Sequence, residues 1–221
     1  MHIVSIKPGS GEDQQRIELS DGSIFSFKTC YLPPVFTDED SYTPGTADGR
    51  DISMSEEEAF RFASACLRAE KAALQLITRA EQNVFHLTLK LEKRGHDTAC
   101  IRAVVAHLSE LGFLDDLRYA SLWLEARISR QAASPWRLLA ALRARGIDRH
   151  DAEAALKEAL DSETEQLLLE RYVQKLQKRK TGGDGGGAED RSLRFTLKNE
   201  GFSPAAIQCF FDNYSDSDCG S

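Results

Sequence analysis

With 221 residues, 41% of them apolar and 29% charged, and with six Pro and 15 Gly, the chain has the size and balance of one or two soluble globular domains. That excludes a disulfide miniprotein, a disordered chain and a membrane-spanning one. The net charge of −7 argues against a nucleic-acid partner when taken whole, yet residues 1–80, 81–180 and 181–221 carry −5, +2 and −4. The basic part is the middle.

Pro8 and Gly9 follow only a short apolar start, too brief for the apolar core of a signal peptide, so the expected address is the cytoplasm. Five cysteines, odd in number and without a CxxC, read as reduced thiols. The segments HIVSI, QRIELS and SIFSFK have strand composition, and Asp21-Gly22 between the last two is a hairpin turn signal. We therefore expect a small β-hairpin element over 1–32 and a Pro/Gly/Asp-rich connector over 33–54. A capping box at Ser55-Glu56-Glu57-Glu58 opens an N-terminal helix over 55–80.

Sliding the sequence against itself aligns three segments: Leu91–Asp97 with Ile101, Leu142–Asp148 with Ala152, and Leu197–Ser203 with Ile207. In each, Leu closes an amphipathic helix and Gly95, Gly146 or Gly201 permits a left-handed turn. Asp or Ser two residues later then caps the next helix. A third helix fills the remaining period at 117–130 and 164–179, where apolar residues recur at helical spacing. The expected fold is mainly α: tandem three-helix repeats in an elongated, curved array, with the small N-terminal β element. The repeats are placed at 81–132 and 133–180, a Gly-rich linker at 181–188, a truncated and loosely tethered third repeat at 189–213, and a disordered tail at 214–221.

Two basic patches stand out. Arg127, Arg130, Arg137, Arg143, Arg145 and Arg149 face a single acid, Asp148, over 127–149, and Arg171, Lys175, Lys178 and Arg179 gather on one side of the last long helix without any acid over 171–180. A solvated face is the plain account of such a run; the segregation of charge favours an anionic partner such as DNA. Tyr119, Trp123 and Trp136 lie near the arginines and could stack on bases; Trp136 at a helix start is the better candidate, whereas Tyr119 reads as core. Asp115-Asp116 reads as a helix cap, not a metal or acid/base pair. The histidines and cysteines have no ligand spacing, and the glycines at 182–187 lack the Lys-Ser/Thr of a phosphate loop.

The stretch LEKRGHDTACIRAVVAHLSELGFLDDLRYASLWLEARISR followed by SPWRLLAALRARGIDRHDAEAALKEAL resembles the RecX family of bacterial regulatory proteins, modulators of the RecA recombinase. The Gly95 turn, the Gly-Phe-Leu-Asp-Asp-x-x-Tyr-Ala run at 112–120, Arg127 and the Arg-Gly-Ile turn at 145–147 carry the resemblance, which covers residues 85–160. It implies tandem three-helix repeats in a non-enzymatic cytoplasmic protein without cofactor or metal. It also implies binding to the RecA filament on DNA so as to limit its activity in recombination, repair and the SOS response. The expected state is a monomer with no membrane partner. Alternatives that the residues leave open are a standalone DNA-binding helical-repeat protein and an α-solenoid protein-interaction scaffold.

Overall fold

Three short strands rich in β-branched and aromatic residues come first: β1 (Ile3–Pro8), β2 (Gln14–Leu19) and β3 (Ile24–Lys28), with a register shift between Ile3 and Ser5. They form an antiparallel sheet in the order β1-β2-β3, with Ile6 opposite Ile17 and Ile17 opposite Phe25. Gly22, at φ 85°, makes the turn between β2 and β3, as its place after Asp21 predicts. The computed structural model describes residues 1–11, 13–34, 49–179 and 186–218; side chains at 179, 186–190 and 214–218 fall outside that description. Most of the expected connector lies outside it too. Its end, however, returns along β1: the Ile3 N–H donates to the Arg50 carbonyl at 2.9 Å and the Ile52 N–H to that of Met1 at 2.8 Å.

Nine helices follow among the described residues: α1 (Met54–Ile77), α2 (Val84–Lys93), α3 (Thr98–Glu110), α4 (Asp116–Arg130), α5 (Pro135–Arg143), α6 (Arg149–Ala159), α7 (Ser162–Arg179), α8 (Gly186–Asn199) and α9 (Pro204–Asp218). A mainly helical chain with a small N-terminal sheet is thus what the sequence folds into. The cap of α1 is Ser53 rather than Ser55: its hydroxyl accepts from the Glu56 N–H at 3.2 Å while the Glu56 carboxylate accepts from the Ser53 N–H at 2.8 Å. Both serines precede a glutamate by three residues, so the sequence offers the same box twice. Asp115 caps α4 by accepting from the Arg118 N–H at 2.8 Å, the structural role expected of it.

The three glycine turns share one hydrogen-bond pattern. Gly95, Gly146 and Gly201 have φ of 78°, 82° and 88°. In each the residue after Gly donates back to the leucine five positions before it: His96 to Leu91 at 3.2 Å, Ile147 to Leu142 at 3.3 Å and Phe202 to Leu197 at 3.2 Å. This is the Schellman closure of a helix. The next helix then starts on the expected caps, with Asp97 accepting from Ala99, Asp148 from Asp151 and Ser203 from Ala206.

The chain divides into two compact units, Met1–Leu114 and Asp115–Ser221. In the first, α1 packs on α2, α3 and β3; small residues Ala59, Ala63, Ala69 and Ala73 line its buried side, which lets neighbouring elements approach closely. Phe27 stacks on Phe60 at 5.3 Å, and Glu70, almost wholly buried, accepts from Lys28 Nζ at 2.5 Å and from the Tyr31 hydroxyl at 3.1 Å. The β element is therefore bolted to the first helices and shares their core. In the second unit α4 packs on α6, α5 on α6, and α7 on α9, around Leu124, Leu138, Leu142, Leu169, Tyr172, Leu197 and Phe202.

This packing changes the phase of the repeats. The division expected at 132/133 falls instead at 114/115, because Ala120, Leu124 and Ile128 of α4 are buried in the core of the second unit. Each triplet begins with a long helix and has its glycine turn between the second and third members: α1-α2-α3, α4-α5-α6 and α7-α8-α9. The third segment is for the same reason neither truncated nor loosely held, since α7 supplies its first helix. Leu197, Phe202, Ile207 and Phe211 are buried in the common core, and Ser203 donates to Glu165 through its N–H and hydroxyl at 2.7 Å each. The linker expected at 181–188 lies outside the described residues up to 185, after which α8 begins. The tail expected to lack structure from 214 continues α9 to Asp218, and 219–221 lie outside the described residues.

Candidate nucleic-acid interface

The last two turns of α4 collect cations from three parts of the second unit. Trp123, Arg127 and Arg130 stand at i, i+4 and i+7 on this helix, one side of it. Arg145, from the turn between α5 and α6, places its guanidinium 4.4 Å from the centre of the Trp123 ring, and that of Arg127 lies 5.7 Å from the same centre. Arg145 also donates to the Ala141 carbonyl at 3.0 Å. From α7, Arg171 donates to the Ile128 carbonyl and Lys175 to that of Ala132, both at 3.3 Å. Those carbonyls belong to the negative end of α4 and to the residues just past it, where cations are favoured.

The other expected site residues are distributed as follows. Arg130, Arg143 and Lys178 are exposed, each in the last turn or so of its helix, with no carboxylate at ion-pair distance among the described residues. Arg149 is held by Glu153 one turn on, Nε to Oε1 at 2.7 Å, which raises its pKa further. Arg137 lies 3.5 Å from Glu200, and the Ser134 hydroxyl donates to the same carboxylate. Trp136 shares this corner, its backbone N–H donating to the Glu200 carbonyl at 3.0 Å and the residue as a whole 61% exposed. Trp136 and Arg137 thus occupy the start of α5 and Arg143 its end. The side chain of Arg179 lies outside the described residues.

Among the three aromatics near the arginines, the sequence favours Trp136, yet it is the ring of Trp123 that two guanidinium groups approach. Its spacing to Arg127 was visible; the approach of Arg145, 22 positions away, was not. Guanidinium groups set beside one another and oriented by fixed partners are what a row of phosphates or carboxylates recognises, through charge-assisted hydrogen bonds. The groove between α7 and α9, of about 540 Å³, presents Glu163 and Glu170 instead and would repel such a partner. Among the described residues no cluster of three or more His, Cys, Asp or Glu could hold a metal, and no helix is long and apolar enough to cross a membrane.

The family model described as RecX, second three-helix domain, matches residues 115–156, which is α4-α5-α6 in the phase the structure shows. A protein of Treponema pallidum named regulatory protein RecX is 33% identical over 147 residues, 66% of this chain and 85% of that protein. Another of the same name from Halorhodospira halophila is 36% identical over 103 residues, 46% of this chain and 61% of that one. A crystal structure of a regulatory protein RecX superimposes with a TM-score of 0.69 over 96% of this chain and 98% of its own, at 18% identity. One of RecX from Lactobacillus salivarius gives 0.54 over 68% and 97%, at 20% identity. At those identities the two structures establish the fold.

Proposed function

This chain belongs to the RecX family of regulatory proteins, and on that footing we propose that it is a non-enzymatic regulator of the RecA recombinase. It binds the recombinase filament on DNA and limits its activity. The observation that carries this reading is the gathering of Arg127, Arg130, Arg145, Arg171 and Lys175 around the end of α4 in a chain whose overall charge is −7. A cation cluster maintained against that balance supports an anionic partner, and phosphates of a DNA-bound filament supply one. Acidic ends on the same chain disfavour indiscriminate adhesion to naked nucleic acid.

The test is a time course of DNA-dependent ATP hydrolysis by the cognate recombinase on single-stranded DNA with this protein titrated in. Hydrolysis is expected to fall at well below one molecule per recombinase protomer, and no effect at equimolar amounts would overturn the reading. The exposed Arg130, Arg143 and Lys178 favour a second reading, direct binding of DNA without recombinase. Salt-dependent, tight association with DNA alone, unchanged when recombinase is added, would select it.

A further inference from the structure

We propose that Trp123 is a positioning residue of the basic site, holding the guanidinium groups of Arg145 and Arg127 against one indole so that both meet the anionic partner as a fixed pair. The inference rests on the proposed function and names how that surface is organised. Arginine is a long side chain that loses much rotamer freedom when it binds, so a cation that is already held associates more tightly than a free one. The face of an indole is the best aromatic site for a guanidinium, whose planar fork of donors is matched to phosphate oxygens.

The surroundings are built for this role. Trp123 is half-buried and packs on the core of the second unit, so its ring is itself anchored. Arg145 is fixed from a second direction by the Ala141 carbonyl at 3.0 Å, and it follows directly on the helix end that the Gly146 turn closes. Arg127 sits one turn after Trp123 on the same helix. The ring thus couples Arg127 of α4 to Arg145 of the α5–α6 turn, and the pair adjoins the helix end to which α7 brings Arg171 and Lys175.

Binding of the variants Trp123→Leu, Trp123→Phe, Arg145→Gln and the double variant Trp123→Leu/Arg145→Gln to recombinase filaments on single-stranded DNA is measured over a series of salt concentrations, with thermal melting alongside. Trp123→Leu is expected to melt as a folded protein and to bind roughly threefold to tenfold more weakly for each arginine released. Its log-affinity against log-salt slope should be shallower by about 0.7 for each phosphate no longer neutralised. Trp123→Phe, which keeps an aromatic face, should fall between it and the wild type. Adding Arg145→Gln to Trp123→Leu should cost little more than the larger single effect, because the two act through one interaction. A folded Trp123→Leu with the wild-type slope, or effects that simply multiply in the double variant, would overturn the inference while leaving the proposed function standing. Should Trp123→Leu fail to fold, Trp123→Phe with the wild-type slope and affinity would overturn it. Absence of any salt-dependent filament binding by the wild type would overturn the proposed function itself.

Discussion

Arg171 on α7 donates to the carbonyl oxygen of Ile128 at 3.3 Å, so a cation of one long helix rests on the carbonyl-bearing end of another, α4. Lys175 does the same for Ala132 one turn further along. Arg171 and Lys175 are therefore not equivalent to the exposed Lys178, although the spacing makes them look so. Arg171→Glu and Lys175→Glu each place a carboxylate against carbonyls and should cost about 1 kcal/mol of stability in thermal or chemical denaturation. Lys178→Glu, on exposed surface, should leave the melting temperature unchanged and reduce only the affinity for the filament.

Gly95 and Gly201 separate backbone strain from close approach. Both have positive φ, but a Cβ at Gly95 meets nothing within 4 Å whereas one at Gly201 comes to 3.3 Å from the backbone nitrogen of Trp136. Gly95→Ala should cost about 1–2 kcal/mol, the penalty of a left-handed residue alone. Gly201→Ala should cost more, because the Trp136 N–H that donates to the Glu200 carbonyl must also give way. Equal destabilisation in paired denaturation curves would show that the corner yields freely.

Phe202 tests how firmly α8 and α9 are held. Its ring lies 5.6 Å from that of Tyr172 on α7 and is almost wholly buried. Phe202→Ala should destabilise the second unit by about 3–5 kcal/mol, seen as a lower midpoint in chemical denaturation. A weakly attached third segment would instead leave that midpoint where it was.

The thiols of the first unit give it an alkaline limit. Burial, then the Cys66 thiol's hydrogen bond to Cys100, push the Cys66 pKa well above its ordinary 9.0. A group whose pKa is raised on folding contributes fully below its unfolded value and loses that contribution as pH rises past it. Stability should therefore decline above pH 9, and Cys66→Ala should show a shallower decline from a lower starting point. Alkylation at neutral pH, followed by mass spectrometry, should modify exposed Cys209 well before buried Cys66 and Cys100.

What could be read from the sequence was local. Glycine turns, the Asp97 and Asp148 caps and the hairpin at Gly22 depend on residues within a few positions of each other, and each occurs where expected. The phase of the repeats was not legible, because α4 lies between two glycine turns and only burial of Ala120, Leu124 and Ile128 decides which helices it joins. The same holds for the site. Composition reveals the cations, but that Arg171 and Lys175 are engaged with α4, that Arg149 is paired with Glu153 and that Arg145 lies on Trp123 are facts of tertiary approach.

The phase of the triplets also defines how such a chain can grow. A duplication that copies from one glycine turn to the next would carry a long helix away from the partners that bury its apolar stripe and deliver it to a neighbour with no complementary groove. One that copies from the aspartate at 115 through the end of α6 transfers a long helix, its glycine corner and its capped third helix together. The heritable building block is thus bounded by the Asp115 cap and not by the glycines that make the repetition visible, and lengthened or shortened descendants of this chain should have their seams at that cap.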